Sequence, residues 1–142
     1  MTEIKSFSGK HRFLSNFAYM GGVTGTDGRH WPSVEHAFQA CKTLDRAAQE
    51  HIRQCRTSGG AKRAGRAVQL RDDWEQIKDE KMLLIVRAKF TQNPELRQML
   101  LDTGDAILIE GNNWGDTYWG QCNGVGQNKL GIILMQVREE LK

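Results

Sequence analysis

The chain of 142 residues has the ordinary length of one domain, and it is long enough to bury a core without disulfides or metal. Hydrophobic residues make up 39% of it and charged residues 26%, which excludes an intrinsically disordered chain. No apolar run approaches the ~18 residues of a membrane span, and the N-terminus lacks the apolar stretch of a signal peptide. We therefore expect one soluble domain, residues 1–142, located in the cytoplasm.

The cysteines, the histidines and the net charge narrow the classes of function. The cysteines (Cys41, Cys55 and Cys122) are far apart and form no Cys-x-x-Cys pair, and no two histidines have His-Glu-x-x-His spacing. We therefore expect no metal and no other cofactor. The net charge of +3 suits an anionic small-molecule partner and does not require a polynucleotide.

The first half of the chain predicts a hairpin followed by helices. Asp27-Gly28 is a tight-turn signal between Val23-Thr24 and Arg29–Trp31. Ser33 is the predicted N-cap of the first helix, whose apolar stripe comprises Val34, Ala37, Phe38, Cys41 and Leu44. Two further helices are predicted, from Asp45 to about Cys55 and from Ala61 to Val68, separated by a break at Thr57–Gly60.

The second half predicts a long helix, a short helix, a strand, a loop and a last helix. The long helix runs from about Asp72 to the Asn93-Pro94 stop, and its run Met82–Val86 is apolar on every side. We therefore expect this helix to be the central buried one, with a stripe formed by Trp74, Ile77, Leu84, Ile85 and Ala88. The remaining predicted elements are a helix over Glu95–Leu101, a strand over Ala106–Glu110, a glycine-rich loop over Gly111–Gln127, and a helix from near Asn128 that buries Leu130, Ile133, Leu134, Val137 and Leu141.

A second stripe on the first helix carries polar groups. Glu35, Gln39 and Lys42 are spaced i, i+4, i+7, so they share one face at the edge of the apolar stripe. A carboxylate and an amine held together there tune each other's pKa. The alternative interpretation is a solvated Glu–Lys pair, which is common and weak on helix surfaces. His36 points elsewhere on the helix and is interpreted as a surface or structural residue.

The glycine-rich loop is the most unusual stretch of the sequence. It contains Trp114, Trp119, a tyrosine, Asp116 and five glycines, and tryptophan in a loop is expected to cover either a ligand or the core. Glycines let the backbone approach a ligand closely. Because a helix begins after the loop, free N–H groups near Asn128 are candidates for binding phosphate. The basic residues Lys62, Arg63, Arg66 and Arg71 are a second candidate for phosphate binding, or a solvated helix face.

Six segments in order resemble the NADAR (YbiA-like) family, over a match from about Phe7 to Leu141. They are Phe13–Phe17, Trp31–Lys42, Asp73–Lys78, Met82–Phe90, Tyr118–Gly120 and Asn128–Met135. Each segment alone is weak evidence, whereas several in the same order are specific. The resemblance implies a mainly helical α+β single domain with a small antiparallel sheet, and N-glycosidase activity without metal.

The resemblance leaves three functions open. YbiA-type members hydrolyse the phosphoribosylamino-pyrimidine intermediates of riboflavin synthesis, and other members remove ADP-ribose from guanine in DNA. Both substrates attach ribose to an exocyclic amine, so a shared mechanism is reasonable. The first is the favoured function, ADP-ribosylated DNA is the alternative substrate, and a non-catalytic ADP-ribose-binding module is the third possibility.

By position, the family's functional residues fall on Glu35, Trp74, Asp116 and Lys42. Cleavage of a glycosidic bond passes through an oxocarbenium-like transition state, for which we expect Glu35 and Asp116 to serve as acid/base and charge-stabilising groups. Trp74 is expected to stack on the base, with a purely structural role as the alternative. Lys42 is expected to stabilise anionic groups or to attack the opened aldehyde as a Schiff-base nucleophile.

The predicted substrate-binding residues come from two parts of the chain. They are Asn16, Phe17, Trp119, Gly120 and Asn128, with Trp119 near the base and Asn16, Lys42 and Asn128 near the ribose phosphate. The loop departs from a simple family match because it contains two Trp-Gly pairs, Trp114-Gly115 and Trp119-Gly120. The register of Asp116 is therefore less secure than that of Glu35.

Overall fold

A computed structural model describes residues 2–142 and is mainly helical, as the sequence predicts. In chain order the elements are β1 (Glu3–Ile4), a 3₁₀ helix (Gly9–Leu14), β2 (Val23–Thr24), β3 (His30–Trp31), α1 (Val34–Ala40), α2 (Arg46–Arg53), α3 (Ser58–Ala67), α4 (Trp74–Gln92), α5 (Pro94–Asp102), β4 (Ile107–Leu108), β5 (Gly111–Asn112), β6 (Gln121–Cys122) and α6 (Lys129–Glu140). Within residues 2–142, no helix has the length and apolar character needed to span a bilayer.

The described residues form two compact units. One comprises residues 2–15 with Asn93–Lys142, and the other comprises Asn16–Gln92. The predicted antiparallel hairpin is confirmed in the second unit, where Val23 of β2 pairs with Trp31 of β3. The first unit holds two small parallel pairs, β1 with β4 and β5 with β6, which the sequence analysis did not predict.

Side-chain caps begin the first three helices. The Ser33 hydroxyl accepts from His36 N at 3.3 Å, and the Asp45 carboxylate accepts from Ala47 N at 3.0 Å, so both predicted caps are confirmed. The predicted start of α3 at Ala61 was wrong. Thr57 Oγ1 accepts from Gly60 N at 2.9 Å, and this cap starts the helix early enough to include two glycines in its first turn.

The burial of α4 differs from the sequence prediction. Its buried residues, Trp74, Met82, Val86, Lys89 and Phe90, lie on one side, whereas Leu84 is 45% exposed. The expectation of an all-round buried helix was therefore wrong, because only the side that packs against α1 and β2 is covered. Leu44 is 73% exposed for a different reason: α1 ends at Ala40, so helical spacing does not extend to it.

In the unit that contains Asn93–Lys142, α6 packs against β4. Leu130, Ile133, Leu134 and Val137 are buried as predicted, whereas Leu141 is only half-buried. The strand β4 is shorter than the predicted Ala106–Glu110. The residues that follow it enter the glycine-rich loop.

Candidate active site

Glu35 is a buried carboxylate in the first turn of α1. Glu35 is 7% exposed, and its Oε1 accepts a hydrogen bond of 2.7 Å from Gln39 Nε2. The Glu35 backbone N–H donates to the Asn16 carbonyl at 3.0 Å, which fixes the start of the helix. The interpretation of this stripe as a solvated surface pair does not hold for Glu35, because the carboxylate and its partner amide are both buried.

Gln39 is held against Glu35 by the close approach of α3. A Cβ atom at Gly65 would overlap Gln39 Oε1 and Cδ, so only glycine lets the two helices meet here. Among the residues that the structure describes, Gln39 Oε1 is the one buried side-chain oxygen or nitrogen without a hydrogen-bond partner. The hydrogen bond between Gln39 and Glu35 therefore fixes the two side chains relative to each other, a contact that sequence spacing alone did not establish.

Replacing Gly65 by alanine is expected to lower turnover about tenfold, because the new Cβ displaces the Gln39 amide that orients Glu35. Turnover is to be measured for Gly65→Ala, Gln39→Ala and the double variant. We expect the double variant to equal Gln39→Ala alone, since both changes act through one contact. Gly59→Ala is the matched control, because a Cβ at this helical glycine meets no atom within 4 Å. Additive losses would contradict the positioning role.

Lys42 follows α1 and lies within the electrostatic influence of Glu35. Burial lowers the pKa of the Lys42 amine, Arg66 and Lys62 lower it further, and Glu35 acts in the opposite direction. The backbone carbonyl of Lys42 accepts a hydrogen bond from Arg71 N at 2.8 Å, which holds the backbone of Lys42 against the segment before α4. A lowered pKa makes the neutral, nucleophilic amine more accessible near neutral pH than in an ordinary lysine.

Trp74 lies in the core at the start of α4. The residue is 5% exposed, and its ring packs on Phe38 with the ring centroids 5.1 Å apart. This environment matches the structural alternative, because little of the indole surface is left for stacking on a base. Base stacking by Trp74 stays a prediction.

Asn16 and Phe17 lie next to Glu35 in the same unit. Asn16 supplies the carbonyl that accepts from Glu35 N, and its side-chain amide contacts Met82 Sδ at 3.5 Å. Lys62 Nζ lies over the Phe17 ring, 5.9 Å from its centroid. The contact of Asn16 and Phe17 with a substrate stays a prediction.

His36 is a structural residue, which is one of the two interpretations made from the sequence. It is fully buried, with Nδ1 2.7 Å from Ser33 Oγ and Nε2 2.9 Å from the Cys55 carbonyl. Both ring nitrogens are thus engaged inside the unit, where they join α1 to the end of α2.

Asp116 organises the glycine-rich loop. Its Oδ1 accepts from the backbone N–H groups of Tyr118 at 3.1 Å and Trp119 at 2.9 Å. Its own N–H donates to Asn112 Oδ1 at 3.1 Å. Asp116 belongs to the unit that contains Asn93–Lys142, whereas Glu35 belongs to the other unit, and their predicted pairing stays a prediction.

Three backbone N–H groups at the start of α6, those of Asn128, Lys129 and Leu130, are already hydrogen-bonded. Its first backbone donors are taken by loop carbonyls: Asn128 by Gly120 at 3.1 Å, Lys129 by Tyr118 at 3.2 Å and Leu130 by Trp119 at 2.9 Å. The expectation of a phosphate site at this helix start was therefore wrong. The glycine-rich loop folds back onto α6, and its carbonyl groups accept hydrogen bonds from N–H groups that have no partner within the helix.

The Asn128 side chain is a structural brace. Its Oδ1 accepts from Glu110 N and its Nδ2 donates to the Leu108 carbonyl, both at 2.9 Å. The residue is 6% exposed and has a left-handed backbone with φ of 52°. The amide oxygen and one N–H of Nδ2 therefore hold the loop to β4, and the contact of Asn128 with a substrate phosphate stays a prediction.

The other predicted loop residues differ in exposure. Gly120 is buried, and a Cβ there would overlap the carbonyl and carboxylate oxygens of Glu110, so glycine is required for close approach. Trp119 is half-buried and lies edge-on to Tyr118, with centroids 4.8 Å apart. Trp114 is 63% exposed, so it does not seal the core.

Over residues 2–142, no three His, Cys, Asp or Glu side chains converge on a common point suited to a metal ion. Cys41, Cys55 and Cys122 are all free thiols. Burial raises the pKa of Cys41, so this thiol is less readily ionised than an ordinary cysteine.

Comparison with known proteins assigns the family. The model of the NADAR domain matches residues 5–142. The chain belongs to the NADAR family. N-glycosidase YbiA of Escherichia coli is 44% identical over 131 residues, which cover 90% of this chain and 80% of the relative. The NMR structure of the E. coli protein YbiA superposes with a TM-score of 0.87 at 42% identity, over 99% of this chain and 84% of that one.

Another NADAR relative is a larger protein. The riboflavin biosynthesis protein VVA0006 of Vibrio vulnificus is 44% identical over 135 residues, which are 93% of this chain and 36% of the relative. The NADAR fold therefore occurs both in a protein of about this length and as a part of a longer riboflavin biosynthesis protein.

Proposed function

We propose that this NADAR protein, acting as one domain over residues 1–142, is an N-glycosidase that hydrolyses phosphoribosylamino-pyrimidine intermediates of riboflavin synthesis. The relatives named N-glycosidase YbiA and riboflavin biosynthesis protein support the activity and its metabolic context. The observation that carries the proposal is the buried Glu35 carboxylate, oriented by Gln39 within the electrostatic reach of the Lys42 amine. A buried carboxylate with a fixed orientation is what stabilisation of a sugar cation requires.

The reaction transfers the anomeric carbon from nitrogen to water. The C1′–N bond breaks and its electron pair leaves with the amine, while a water oxygen bonds to C1′. Glu35 stabilises the oxocarbenium-like transition state and accepts a proton from the attacking water, and the departing amine gains a proton. The products are ribose 5-phosphate and the aminopyrimidine. The roles of Asp116 as the second carboxylate and of Trp119 as a contact to the base stay predictions from the sequence.

Direct incubation tests the proposal. The purified protein is mixed with the phosphoribosylamino-pyrimidine, and ribose 5-phosphate and free pyrimidine are quantified against the spontaneous rate. We expect both products in equal amounts. A parallel incubation uses an oligonucleotide that carries ADP-ribosylated guanine. Turnover of the oligonucleotide alone would replace the proposed substrate, and binding of ADP-ribose without turnover of either substrate would identify a non-catalytic module.

A further inference from the structure

Three cationic residues lie on α3 or just after α1, the two helices that pack together next to Glu35. The contact between Gln39 and Gly65 sets the register of the two helices. Lys42 lies three residues after Gln39, and Arg66 lies one residue after Gly65. Lys62 lies four residues before Arg66, so both side chains project from the same face of α3.

Further observations locate Lys62 relative to Glu35, and Lys62 and Arg66 relative to Lys42. Lys62 Nζ lies 5.9 Å from the centroid of the Phe17 ring, and the preceding residue, Asn16, accepts from Glu35 N. Lys62 therefore lies towards Glu35. Arg66 and Lys62 both lower the pKa of the Lys42 amine, as expected for positive charges near one another. Lys42 and Lys62 are half-buried and Arg66 is exposed, so a ligand in solution can reach the group.

These cations lack a carboxylate at ion-pair distance among the residues that the structure describes. Other basic side chains have one, namely Arg29, Arg53, Arg71 and Lys78. Arg71 belonged to the basic group noted in the sequence, and its pairing with Asp73 at 2.6 Å removes it from consideration. Three neighbouring positive charges repel one another, and a multiply charged anion relieves that repulsion.

We infer that Lys42, Lys62 and Arg66 form a binding subsite for the 5′-phosphate of the ribosyl substrate. The assignment rests on the proposed function for the identity of the ligand. Arginine binds phosphate oxygens in a bidentate manner and lysine binds as a point charge, so the group offers both modes. Binding energy at the phosphate also positions the anomeric carbon relative to Glu35, which makes the subsite useful for catalysis.

NMR titration with ribose 5-phosphate, using ribose as the uncharged comparison, tests the subsite without requiring turnover. Lys62→Gln and Arg66→Gln keep the aliphatic parts of the side chains and remove the charges. We expect each variant to bind ribose 5-phosphate at least ~10-fold more weakly and ribose unchanged. Arg46→Gln is the control, because it removes the same charge from an exposed arginine on α2 that interacts with Asp27, and it is expected to bind like the unaltered protein.

Kinetics provide a second measurement on the same proteins. Lys62→Gln and Arg66→Gln are expected to raise KM for the phosphorylated substrate at least ~10-fold. Unchanged affinity and KM in both variants would overturn the subsite, as would an equal loss in Arg46→Gln, which would indicate a diffuse charge effect. If the protein binds ribose 5-phosphate through these residues but hydrolyses no ribosylamine, the subsite stands and the proposed function fails.

Discussion

Replacing Glu35 by glutamine is expected to lower turnover at least ~100-fold while the protein remains folded. The substitution removes the negative charge and the proton acceptor but keeps the size of the side chain. The amide oxygen of the new side chain can still accept the hydrogen bond from Gln39 Nε2, so the packing of α1 against α3 is preserved. The loss therefore measures the chemistry of the carboxylate and not a change of fold.

Single-turnover release of ribose 5-phosphate is the measurement for Glu35→Gln, with urea unfolding as the test of folding. Glu75→Gln is the control, because Glu75 is an exposed glutamate whose carboxylate pairs with Lys78 at 2.8 Å. We expect this control to retain turnover within about twofold, as is usual for an exposed ion pair remote from the reaction. Near-normal turnover of Glu35→Gln would remove Glu35 from the mechanism.

Features determined by neighbouring residues were predictable from the sequence. Ser33 and Asp45 cap their helices because the side-chain oxygen and the N–H that it satisfies are only two or three residues apart. The turn at Asp27-Gly28 joins β2 and β3 for a similar reason: Gly28 adopts a positive φ of 87°, which glycine tolerates. Such signals require no knowledge of the rest of the fold.

Burial was less predictable because it depends on distant segments. The apolar run in α4 shows which residues are able to enter a core, but only the packing against α1 and β2 selects Met82 and Val86 and leaves Leu84 exposed. The spacing of Glu35 and Gln39 places them on one face of α1. Their burial could not be inferred from that spacing, because it depends on Gly65 in another helix.

The structural role of Asn128 also could not be predicted from the sequence pattern. A helix start after a glycine-rich loop is a reasonable phosphate site when its N–H groups are free. Here the carbonyls of Tyr118, Trp119 and Gly120 return to those donors, and the buried Gly120 allows the backbone to approach closely. The sequence pattern identified the helix start correctly, but it did not show that loop carbonyls accept hydrogen bonds from its N–H groups.

Asn128→Ala is expected to lower the free energy of unfolding by about 3–7 kcal/mol. The change leaves Glu110 N–H and the Leu108 carbonyl without their side-chain partners, at a cost of roughly 1–3 kcal/mol for each buried group. The left-handed backbone adds about 1 kcal/mol for alanine. Urea unfolding measures the loss as a lower midpoint at constant slope.

Asn123→Ala separates these two contributions to the loss in Asn128→Ala. Asn123 has a φ of 54°, close to the 52° of Asn128, but it is exposed and its side chain has no hydrogen bond with any described residue. It is expected to lose only the ~1 kcal/mol of the backbone conformation, so Asn128→Ala must exceed it by at least about 2 kcal/mol. Equal losses would show that the amide of Asn128 does not brace the loop. A raised KM with unchanged stability would instead return Asn128 to the substrate-binding residues, with the second N–H of its amide as the donor to the phosphate.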